Sequence, residues 1–115
     1  MKIVKNRNGI SIEELKEMAK ATFGDLVKAV VDIKRSIMVI DAELHADEEA
    51  LLIENGSAQG DLWGINLYPE LDSFDFIEFD SMINLRPSQG NRSRSVENPE
   101  IREIIETIVA NARKR

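Results

Sequence analysis

The chain is predicted to fold as one α+β domain, a mainly antiparallel sheet of about four strands with amphipathic helices from the two ends packed on one face. Three observations carry that expectation. Two segments, near Ser11 and Asn98, combine helix-start chemistry with apolar residues at helical spacing. Between them lie short β-branched or alternating runs bounded by turn residues. At 115 residues, with 43% hydrophobic and 31% charged residues, the chain has the size and composition of a single globular unit with one core.

Ser11 and Glu14 form a capping box, and Ile10 and Leu15 flank it at the spacing of a hydrophobic staple. A helix is predicted from Ile12 to about Phe23, with Leu15, Met18 and Ala19 on its apolar face and Gly24 as a left-handed cap. LVKAVVDI and IMVI then read as two strands of an antiparallel pair, separated by Lys34, Arg35 and Ser36. From Glu43 to Gly56 two readings stay open. Asp47 can cap a helix through EEALLIE, or Asn55-Gly56 can turn a hairpin; the helix is preferred.

LWGINLY, closed by Pro69, reads as a strand with Trp63, Ile65 and Leu67 on one face and Leu62, Gly64, Asn66 and Tyr68 on the other. FIEFDSMINL alternates in the same way and is predicted as the next strand, which places Asn84 mid-strand. After a loop from 86 to 97, Asn98 as N-cap and Pro99 at the first helical position open a last helix buried through Ile101, Ile104, Ile105, Ile108, Val109 and Ala112.

Composition excludes several function classes. The chain has no cysteine, hence no disulfide, thiolate metal site or cysteine nucleophile. No apolar run approaches the length of a membrane span, so a cytoplasmic protein without a membrane partner is expected. A net charge of −6 argues against general affinity for nucleic acid. A lone histidine, with no nucleophile-elbow sequence around any serine, argues against serine-hydrolase chemistry.

The charges are sorted along the chain. From Asp41 to Asp80 lie twelve acids and no lysine or arginine, and NLRPSQGNRSR at 84–94 then holds three arginines and no acid. Arg86, Arg92 and Arg94 offer guanidiniums, Ser88, Gln89 and Asn91 offer polar groups, and Gly90 lets the backbone turn its amides toward a ligand. Those are the components of a site for an anion such as a phosphate-bearing ligand. Asn66 and Asn84, disfavoured in strands, are added as candidate ligand-binding residues facing the mouth of that loop. The alternative is a solvated connection whose arginines pair with the protein's own acids. His45 and Asp47, with Asp80, form a loose candidate set for a divalent cation.

Two function classes follow. The first is a binding, regulatory or self-assembling module, because an acidic middle and an arginine loop are complementary and fit a homo-oligomer or a protein partner. The other is a metal-assisted phosphoester hydrolase or nuclease, with the acids holding a cation and the arginines the phosphate.

VKAVVDI, ELHAD, NGSAQ, DLWGINLYP, DSMINLRPSQGNRS and the closing IREII together resemble a family of small prokaryotic proteins, domain-of-unknown-function family 5674. The resemblance runs from about Leu15 to Val109. It implies no activity and no catalytic residue.

Overall fold

The computed structural model describes residues 1–5 and 9–114. Its elements run β1 (Lys2–Lys5), α1 (Ile12–Ala21), β2 (Val27–Asp32), β3 (Ile37–Ile40), α2 (His45–Glu54), β4 (Leu62–Leu67), β5 (Ile77–Glu78) and α3 (Pro99–Ala112). The five strands form one antiparallel sheet in the order β1-β3-β2-β4-β5.

The α+β class and antiparallel sheet agree with expectation; several details do not. The sheet has a fifth strand, the four-residue β1, beside β3. Helix α1 forms with its capping box, ends at Ala21 rather than Phe23, and is followed by Gly24 at φ 94°, whose amide donates to the Ala19 carbonyl. The helix reading of EEALLIE holds, but α2 begins at His45 after an uncapped Leu44, so Asp47 lies in the first turn and is not the cap.

The terminal helices do share a face. Leu15 and Ala19 of α1 and Ile105, Ile108, Val109 and Ala112 of α3 pack on Val27, Ala29, Val31, Met38, Ile40, Trp63, Ile65 and Leu67. Helix α2 covers the opposite face, where Leu52 meets Val30, Ile37, Val39 and Leu62. The sheet is therefore covered on both sides, and β2, β3 and β4 are buried almost throughout, as strands sandwiched between helices must be.

The largest departure is at 76–85. Only Ile77 and Glu78 pair with β4; the chain then leaves the sheet and closes a 3-10 turn at Met82–Asn84, with Ser81 capping the Ile83 amide. Asn84 replaces the missing strand. Its Oδ1 accepts from the Gly64 amide at 2.8 Å and its Nδ2 donates to the Gly64 carbonyl at 2.9 Å, so one carboxamide satisfies both backbone groups of Gly64 on the outer edge of β4. Gly64 is required there, because a Cβ would lie 2.5 Å from the Ser81 Cβ.

Candidate functional site

The arginine-rich stretch does not bring its arginines together: Arg86 and Arg94 line different cavities. Asn84 and Asn91 are its buried frame. Besides Gly64, Asn84 Nδ2 reaches the Arg94 carbonyl at 2.9 Å. Asn91 Nδ2 donates to the carbonyls of Asn84 and Ser95, each at 2.7 Å, and its Oδ1 accepts from the Glu97 amide at 2.9 Å. The Asn84 carboxamide, a candidate ligand-binding group in the sequence, thus has its donors and acceptor spent on backbone.

The loop also holds an anion of its own. Glu97 Oε2 accepts from the amides of Arg92 and Ser93 at 2.7 and 2.8 Å, the pair of donors that an external phosphate would take. Hydrogen bonding to Ser93 and to the Arg92 amide holds the Glu97 carboxyl below its ordinary value. The Arg92 residue itself is exposed.

Arg86 and Arg94 diverge into separate cavities. Arg86 is only 9% exposed, with its Nη2 3.3 Å from Glu49 Oε2 and its guanidinium carbon 5.0 Å from the Trp63 ring. Burial pushes its pKa down, and Glu49 opposes that shift. With Ser88, Gln89, Glu49 and Gln59 it lines a cavity of about 300 Å³. Glu49 answers its charge through Nη2, while Nη1 is buried with no hydrogen-bond partner among the described residues.

Arg94 lines the second cavity, of about 340 Å³, together with Lys28, His45, Asn66, Asp80 and Ser81. Each comes from a different part of the fold. Antiparallel pairing of β2 with β4 sets Lys28 directly opposite Asn66, α2 delivers His45 from its first turn, and the segment after β5 brings Asp80. Asp80 Oδ1 fixes Arg94 through Nε at 2.7 Å. Around them stand Phe23, Leu26, Leu44 and Met82, of which Phe23, Leu44 and Met82 are exposed. Met82 and Ile83 line both cavities.

Two buried groups give this cavity its chemistry. His45 sits with Nε2 2.8 Å from the Ile65 carbonyl, an acceptor only, so Nε2 carries the proton and Nδ1 is the acceptor of the neutral ring. Burial pushes the imidazole below its ordinary value, partly offset by that carbonyl. Asn66, 6% exposed, donates from Nδ2 to Glu78 Oε1 at 2.8 Å and to the Asp80 carbonyl at 3.3 Å, while its Oδ1 has no partner among the described residues. A larger depression of about 410 Å³ along α3 contains no buried polar side chain.

His45, Asp47 and Asp80 do not assemble. Asp47 is exposed on α2, and among the described residues no group of three or more histidine or acidic side chains is placed to hold a cation. Sequence reasoning missed Lys28 and Phe23, and it also missed Glu48. That carboxyl lies on the sheet-facing side of α2 between His45 and Leu52, fully buried, with neither oxygen hydrogen-bonded among the described residues. Burial pushes its pKa up to about 10, opposed by the nearby Ala42 amide, which does not complete a bond of good geometry.

A family described as "Protein of unknown function (DUF5674)" has a model that matches residues 2–112. The chain belongs to that family. The match begins with β1 and ends with the last residue of α3, so both cavities of this DUF5674 member lie inside the family's domain. No curated protein and no solved structure matches the chain.

Proposed function

We propose that this protein is a small noncatalytic binding module that takes the anionic group of a ligand at Lys28 and Arg94, in the cavity beside His45. One observation carries the reading. Two cations and three buried polar side chains (His45, Asn66 and Ser81) from five separate segments line a single concavity with an apolar rim. Small-molecule sites have this composition, with apolar walls and a few convergent polar groups.

The physics narrows the anion site to the Arg94 end of the loop. Glu97 already occupies the amides of Arg92 and Ser93, and Glu49 already pairs with the buried Arg86. Arg94 is half-exposed, and its bond to Asp80 orients the guanidinium without enclosing it. The N-terminus of α2, with no side-chain cap, adds the positive end of a helix dipole beside His45.

The hydrolase reading has less support, since among the described residues no set of acids converges for a cation. Charge-driven self-assembly is also less favoured. The acidic middle and the arginine stretch meet within one chain, at Arg86–Glu49 and Arg94–Asp80.

An amide NMR titration with inorganic phosphate and acetate tests the reading. Shifts should concentrate at Lys28, His45 and Arg94, and Arg94→Gln should weaken binding by about tenfold, the worth of one charge-assisted hydrogen bond. Shifts confined to Arg86, Ser88 and Gln89, or unaltered by Arg94→Gln, would move the site elsewhere.

A further inference from the structure

Resting on that reading of the cavity, we infer its ligand class: a small aliphatic carboxylate bearing a hydroxyl on the carbon next to the carboxyl group, an α-hydroxy acid. The inference comes from matching what the cavity still lacks.

The first requirement is an anion. Lys28 and Arg94 bring two positive charges, Asp80 brings one negative charge engaged with Arg94, and His45 is neutral, which leaves an excess of one positive charge among the lining groups. A single carboxylate balances that excess; a phosphate dianion exceeds it.

The second requirement is a donor. Asn66 cannot be turned to hide its unsatisfied atom, because Nδ2 already points at two acceptors, the Glu78 carboxylate and the Asp80 carbonyl. Its Oδ1 has no donor among the described residues and is closed off from solvent, so a ligand does not reach it without moving its neighbours. The acceptor left to a ligand is His45 Nδ1, because Nε2 carries the proton toward Ile65. A bare carboxylate leaves this acceptor unanswered, and a hydroxyl beside the carboxylate answers it.

The third requirement is an apolar body. Phe23, Leu44 and Met82 are exposed, and with Leu26 they form the cavity's apolar wall. Their placement on three different segments, beside the Lys28 ammonium packed 5.0 Å from the Phe23 ring, sets a tail near the charged end. At about 340 Å³, the cavity lies at the small end of ligand sites, where a branched four- or five-carbon tail is a reasonable fill.

Calorimetry and NMR on the full chain test this with 2-hydroxy-4-methylpentanoate, leucine, 4-methylpentanoate, 4-methylpentan-1-ol and inorganic phosphate. The hydroxy acid should bind most tightly, and leucine, whose ammonium cancels the charge of its carboxylate, more weakly; leucine binding as tightly as the hydroxy acid would overturn the charge match. Removing the α-donor should cost roughly threefold to tenfold, as one neutral hydrogen bond does, and replacing the carboxylate by the alcohol more than about tenfold. Arg94→Gln should weaken the acids and leave the alcohol unchanged, and Met82→Ser on the exposed rim should weaken every tailed probe and leave phosphate unchanged. Thermal midpoints like that of the parent chain establish that both variants fold. If phosphate binds at the cavity as tightly as the tailed acids, the ligand class is overturned and the anion site stands. If 4-methylpentanoate matches the hydroxy acid, the donor requirement is wrong. If no probe shifts Lys28, His45 or Arg94 below about 10 mM, the class and the site both fall.

Discussion

Glu48 should make this protein lose stability as pH rises through neutrality, and Glu48→Gln should remove that loss. The carboxyl is fully buried on the sheet side of α2, without a hydrogen bond among the described residues, and the charges acting on it come from Lys28, Asp41 and the chain's amino terminus. Burial raises its pKa from 4.5 to about 10, so between those values the folded state keeps a proton that the unfolded state releases. The unfolded state thus binds fewer protons in that window, and stability falls as pH rises. The slope is about 1.4 kcal/mol per pH unit, or about 3 kcal/mol from pH 5.5 to pH 8. His45 acts in the opposite sense. Its pKa is lowered by folding, so it destabilises the fold at low pH and ceases to do so as pH rises past its unfolded value. Comparing parent and Glu48→Gln at each pH cancels this contribution. Urea unfolding followed by Trp63, the single tryptophan and a buried one, is the assay. The variant should match the parent near pH 5 and exceed it at pH 8 by about 3 kcal/mol, a midpoint shift of roughly 1–2 M urea. Equal pH slopes in the two proteins would refute the buried, protonated carboxyl.

Three further predictions concern the edge of β4 and one strained turn. Asn84→Ala strips partners from the buried Gly64 amide and carbonyl and should cost about 3–5 kcal/mol in urea unfolding, because orphaned backbone groups are expensive. Gly64→Ala drives a Cβ into Ser81 and should cost about 1–3 kcal/mol, with part of the loss recovered in the Gly64→Ala/Ser81→Gly pair. Asp41 sits at φ 68°, so Asp41→Gly should raise the thermal midpoint, gaining about 0.5–1 kcal/mol by relieving left-handed strain.

Elements with two independent local signals were legible from residue order. Helix α1 had a capping box and a staple, α3 had Asn98-Pro99, and each forms where those signals put it. The 76–85 segment misled because alternation has the same period whether the neighbour across the ladder is a strand or a side chain; beyond Glu78 the neighbour is Asn84. The covered face of α2 was unreadable because one of its buried positions is Glu48, and a glutamate in a helix normally reads as solvent-facing. The candidate residues Asn66, Asp80, Arg94 and His45 were visible as chemistry, and the structure brings all four to one cavity. What composition could not show was consumption. Glu97, three residues beyond the arginine stretch, takes its amides, and Lys28 reaches the site only through the β2–β4 register.

The Asn84 carboxamide also decides how this sheet meets the outside. A strand's hydrogen-bonding potential is an invitation to any extended peptide, and β4 would offer one along Leu62–Leu67 once the two-residue β5 ends. A side chain ends the ladder at Gly64 without offering a new edge in turn. Of the two lateral strands, only β1 has more than two residues, and it carries a lysine at each end, a common guard against intermolecular zippering. One asparagine thereby limits the routes by which this sheet could recruit a second chain through its backbone.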